Sequence, residues 1–103
     1  VRCYYHNTIQ NFISDSSEGI LGHLAQAHQF ALEDQQKNAW LKQIQILKHN
    51  FSEFKEGHLF FEFAIPRMGK RVDNILIFKN LIFVIEFKVG GKTVFSFCKD
   101  TNH

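Results

Sequence analysis

The sequence predicts an α+β domain in which short helices precede one long helix, and the long helix packs on an antiparallel meander of three strands with room for a short fourth. Two observations carry this reading. Trp40, Ile44, Leu47, Phe51 and Phe54 recur at alternating spacings of four and three, which lines one face of a helix. After them come three runs rich in β-branched and aromatic residues, Leu59 to Ile65, Ile75 to Phe78 and Leu81 to Ile85, joined by connections too short for a parallel crossover. A chain of 103 residues builds one modest core, so the elements belong to one domain.

In chain order, Asn7 to Ile13 carries Ile9, Phe12 and Ile13 at helical spacing, and Asp15-Ser16-Ser17 ends it. Ser17 is the expected cap of a second short helix, with Glu18 in its first turn and Ile20, Leu21 and Leu24 on its apolar side before Ala27-His28. Gly19 and Gly22 weaken this helix by about 1 kcal/mol each relative to alanine. The long helix is expected from Glu33 to Phe54, with acidic Glu33 and Asp34 at its amino end and Gly57 as a left-handed cap beyond its carboxy end. The strand from Leu59 to Ile65 stops at Pro66, and strict alternation puts Phe61, Phe63 and Ile65 on one side and Phe60, Glu62 and Ala64 on the other. Thr93 to Phe97 supplies the short last strand.

Composition excludes several classes. Hydrophobic residues make up 45% and charged residues 21%, which is globular rather than disordered. No run reaches the eighteen apolar residues of a membrane span, and the chain shows no signal-peptide pattern, so Cys3 and Cys98 read as free thiols of a reducing cytoplasm. The six histidines show no ligand spacing along the chain. Gly90-Gly91-Lys92-Thr93 imitates the end of a phosphate-binding loop without that motif's earlier glycine. Net charge is only +2, yet residues 55 to 92 hold seven Lys or Arg against four acids, which concentrates positive charge in the strand region.

The hairpin carries the chemistry. A turn centred on Lys79-Asn80 opposes Phe78 to Leu81, Ile77 to Ile82, Ile75 to Val84 and Asp73 to Glu86. Lys79 is a poor residue for such a turn, which needs positive φ. The register sets two carboxylates side by side with Lys88 on the same face, and like charges opposed in a sheet repel, so a cation is expected between them. Oxygen ligands of this kind suit Mg2+ or Mn2+.

Asp73, twelve intervening residues and then Glu86-Phe87-Lys88 at the end of an apolar strand resemble the active-site signature of the PD-(D/E)XK nuclease superfamily. Upstream, Glu62-Phe63-Ala64-Ile65-Pro66 and Gly69-Lys70-Arg71-Val72-Asp73 are similar to the nuclease-like domain that precedes the motor domain of DUF2075-type DNA/RNA helicase-related proteins. The resemblance implies a metal-dependent nuclease acting on DNA or RNA. Asp73, Glu86 and the carbonyl of Phe87 would hold the ion, and Lys88 would orient the attacking water. Glu62 either joins that cluster or faces solvent. Gln36 stands four residues before Trp40, where the resemblance implies a glutamate, which moves that role to Glu33 or leaves it to a neutral amide. Arg67, Lys70 and Arg71 form a basic loop that is either solvated or in contact with phosphate. The superfamily core continues with a helix bearing glutamine and tyrosine that Lys92 to His103 does not resemble, so the sequence reads as a partial core. That departure favours a second reading, a catalytically decayed nucleic-acid-binding or regulatory module, with a non-functional fragment as the third.

Overall fold

The structure is a computed structural model that describes residues 2–29 and 31–88, together with the backbone of strand 93–99. The elements run β1 (Tyr5–Thr8), α1 (Ile9–Ser14), α2 (Ser17–Ala27), α3 (Asp34–Asn50), β2 (His58–Ile65), β3 (Lys70–Phe78), β4 (Leu81–Phe87) and β5 (Thr93–Lys99). Among the described residues the strands form one sheet in sequence order, each antiparallel to its neighbour, and the three helices belong to the segment between β1 and β2. Gly90, Gly91 and Lys92 and the side chain of Cys98 lie outside the described residues.

The helices start where side chains replace missing backbone partners. Thr8 caps α1 by accepting the Asn11 N–H, and Ser16, one residue before the expected cap, accepts the Gly19 N–H at the head of α2. The ammonium of Lys48 on α3 gathers the carbonyls of Phe12, Ile13 and Asp15 at 2.6, 3.0 and 2.5 Å, closing the carboxy end of α1 against the long helix. Helix α3 stops at Asn50, one turn short of Phe54, and Phe51 closes it with an N–H bond to Leu47. Gly57 is therefore not its cap. With φ +123° Gly57 leads into β2, and its carbonyl accepts the Ile9 N–H. A Cβ there would meet Ile9 Cδ1 at 2.9 Å and the Ile77 carbonyl oxygen at 3.0 Å.

Trp40, Ile44, Leu47 and Phe51 are buried as the spacing predicts, and they join Phe12, Ile20, Leu24, Leu59, Phe61, Leu76 and Ile85 in one core. Burial of this stripe removes several large side chains from water at about 1.5–3 kcal/mol each, which is what holds α3 to the sheet. The hairpin register is the predicted one from Phe78↔Leu81 to Asn74↔Ile85, and Lys79 takes φ +58° to close a two-residue turn. Lys79 has no glycine's freedom, so that turn carries strain on the order of 1–2 kcal/mol, which the pairs behind it outweigh.

Two expectations fail in the sheet. The helix expected from Asn7 starts at Ile9, because Asn7 and Thr8 belong to an edge strand, Tyr5–Thr8, whose pairing with His58–Phe61 on β2 satisfies backbone groups that four isolated residues cannot satisfy alone. The alternation of β2 also breaks. Glu62 has φ +54°, and beyond it Phe63 leaves the side of Phe61 and packs edge-on against Phe60 at 5.6 Å.

Candidate carboxylate centre

The sheet brings three acids to one level. Asp73 lies on β3 next to the last paired step of the hairpin, Asn74↔Ile85, so Glu86 is its opposite number on β4. On the other side Glu62 falls between the pairs Phe61↔Asn74 and Phe63↔Val72, opposite Asp73 on β2. The row Glu62, Asp73, Glu86 thus crosses three neighbouring strands. Each is half-buried.

At this level β3 and β4 part. The ladder between them ends at Asn74, and the Phe87 N–H is taken by the side chain of Asp73, with Oδ2 accepting at 2.7 Å. A carboxylate oxygen has replaced a strand carbonyl. The Asp73 carboxyl is pushed above the usual carboxylate range by burial; the Phe87 N–H opposes that shift and the charge of Glu86 adds to it. Burial likewise raises Glu62, against the hydrogen bond from Trp40 and with the charge of Asp73, while Arg71 and His28 pull it down. Negative charge is crowded here and only partly compensated. That is the field a divalent cation neutralises.

The positive φ of Glu62 explains its role. By turning the residue out of strand alternation it sends the carboxylate toward the helices, where Oε2 accepts the indole N–H of buried Trp40 at 3.2 Å. Trp40 is walled by Tyr4 and His28, which meet it edge-on at ring separations of 6.3 and 5.7 Å and meet each other at 6.1 Å. Tyr4, His28 and the Trp40 N–H are parts of the centre that sequence reasoning missed. A tryptophan on an apolar stripe signals core, and nothing in its spacing announces a carboxylate partner.

The remaining candidates separate from one another. Arg71 donates from Nη1 to the carbonyls of Glu62 at 2.7 Å and Arg2 at 3.3 Å, and its guanidinium lies 4.6 Å from the Tyr4 ring centroid. It braces the centre from within the fold. Arg67 and Lys70 are exposed at the β2–β3 turn beside Met68, whose side chain is 61% exposed, so the turn presents two cations and an apolar tip to solvent. Lys88 is exposed just past the end of β4. Gln36 is half-buried on α3 one turn before Trp40, and Glu33 is exposed at the N-cap with no side-chain cap bond.

The donor set has the chemistry of a hard cation site, oxygen only and net negative. Among the described residues no three His, Cys, Asp or Glu side chains converge tightly enough to hold an ion by themselves. A site here would use Asp73, Glu86 and the backbone of Phe87 and fill its remaining positions with water, as Mg2+ commonly does. Among the described residues no helix is long and apolar enough to cross a membrane. Compared with protein-family models, curated protein sequences and solved structures, the chain gives no match in any of the three.

Proposed function

We propose that this is a nuclease-like domain of the PD-(D/E)XK type, a metal-dependent phosphodiesterase of DNA or RNA that works with a helicase motor. The observation that supports it most is the fork between β3 and β4, where Asp73 holds the Phe87 N–H in the field of Glu86 and Glu62. Asp73, Glu86 and the Phe87 carbonyl are the ligands, and Mg2+ or Mn2+ bound there would polarise the scissile phosphate and acidify a water. Lys88, just past the end of β4, orients the nucleophile. Glu62 flanks the ion from the helix side, tied to Trp40, with Gln36 and Glu33 at the head of α3 as outer polar groups. Arg67 and Lys70 reach phosphates from the β2–β3 turn, in contacts that are sequence-blind and weaken with salt.

A second reading keeps the nucleic-acid contact and drops the turnover. The neutral Gln36, which brings no charge to a metal, and Arg71, whose Nη1 is engaged by internal carbonyls, favour it. Cleavage of single- and double-stranded DNA and of RNA with Mg2+ or Mn2+ separates the two. The nuclease reading expects metal-dependent cutting that Asp73→Asn and Lys88→Ala each abolish. Salt-sensitive binding without cutting in either metal selects the module.

A further inference from the structure

His6 and His58, 52 residues apart, meet on the edge of the sheet. The β1–β2 register pairs His6 with Phe60 and Thr8 with His58, which sets the two histidines diagonally on one face. His6 Nε2 lies 3.2 Å from His58 Nδ1, and both side chains are exposed. This is the face away from the helices, because Phe60 carries the His6 ring while its neighbour Phe61 is in the core. The Glu62 carboxylate turns the other way, toward Trp40.

The pair is held rather than loosely apposed. The His6 ring lies flat on Phe60, with centroids 4.2 Å apart and planes within 2°. The backbone at His58 is fixed from behind by Gly57, whose carbonyl takes the Ile9 N–H and whose position admits no Cβ. Thr8, next to the pair, caps α1. Both rings stand on regular strands, which is the rigid support a metal ligand needs.

The spacing of the two nitrogens matches a chelate bite. Imidazole nitrogens bound to Zn2+ at about 2.0–2.1 Å are separated by roughly 2.9 Å at a right angle and roughly 3.4 Å at the tetrahedral angle. The observed 3.2 Å falls between these limits. We propose that His6 and His58 form a two-histidine site for a divalent transition ion that prefers imidazole, such as Zn2+, Ni2+ or Cu2+, separate from the carboxylate centre. Both facing nitrogens must offer lone pairs, so the ring protons sit on His6 Nδ1 and His58 Nε2 in the bound state. The proton shared by the facing nitrogens in the free pair moves to an outer nitrogen, and the two neutral rings keep their proton count. Water fills the other coordination positions, which makes the ion exchangeable.

The test is a titration of the chain followed by the imidazole NMR resonances, with Zn2+ and Mg2+ as probes. Zn2+ should move the His6 and His58 signals together up to one equivalent, and Mg2+ should move neither. His6→Phe keeps the stack on Phe60 and His58→Gln keeps a polar edge; each should weaken Zn2+ binding by about tenfold or more with unchanged far-ultraviolet dichroism, and Asp73→Asn should leave it as in the wild type. Zn2+ that shifts other residues first, or binds the two histidine variants as tightly as the wild type, overturns the assignment.

Discussion

Strand β3 behaves as two different strands. From Asn74 to Ile77 it is paired on both sides in unbroken register, and Leu76 sits in the core beneath the helices. From Lys70 to Asp73 it keeps β2, loses β4, and replaces a ladder bond with a side-chain bond from Phe87 to Asp73. The first half shows what regular pairing gives, a surface on which α3 buries its stripe. The second shows what departure from pairing gives, carboxylates from three strands held half-buried at one level.

If that contrast is sound, the regular half should answer to packing and the forked half to charge. The largest effect belongs to Trp40→Ala, which empties a site 1% exposed and also removes the indole donor from Glu62. It should cost about 3–5 kcal/mol in denaturant unfolding. A cost below about 0.5 kcal/mol would mean that α3 does not rest on the sheet through this residue. Lys48→Met comes next. It keeps most of the aliphatic length but strips three carbonyls of a charged donor, and a loss of about 2 kcal/mol is expected because such charge-assisted bonds are the stronger ones. An unchanged midpoint would detach α1 from the account.

The forked half sharpens the contrast through pH. Burial leads the upward shift of both Glu62 and Asp73, so the folded state holds protons more tightly than the unfolded chain. Their contribution favours folding most below the ordinary carboxylate range, declines as pH rises through that range to the raised values, and is flat above them. The pair Glu62→Gln with Asp73→Asn should therefore remove a downward slope from the stability–pH curve in mildly acid solution while leaving the neutral plateau level. A slope identical to that of the wild type would show that these carboxylates are not held in the crowded state described.

What was legible in the sequence follows the same division. The stripe on α3, the strands β2 to β5 and the hairpin pairs from Phe78↔Leu81 inward could be read because side-chain period and burial agree there. The edge strand Tyr5–Thr8 could not, being four residues long and running straight into a helix, so its pairing depends on a partner about fifty residues away. The turn-out at Glu62 was hidden too, because no glycine marks its positive φ and strict alternation gave the opposite placement for Phe63. Asp73 and Glu86 are legible from the hairpin alone, and Glu62 as a candidate from the adjacent strand. Their partners Trp40, Tyr4 and His28 come from helix α3 and from residues flanking β1 and α2, and only the fold brings them together.

The most direct test of the carboxylate centre is ion-linked stability. Mg2+ that binds the folded chain and not the unfolded one raises the unfolding midpoint, by about 2.7 kcal/mol of stability at a hundredfold excess over its dissociation constant. The wild type should show a saturable rise of several degrees at millimolar Mg2+, and Asp73→Asn should show none while remaining folded. An equal rise in both proteins, or no rise in the wild type, would contradict the assignment of Asp73 and Glu86 as a cation site.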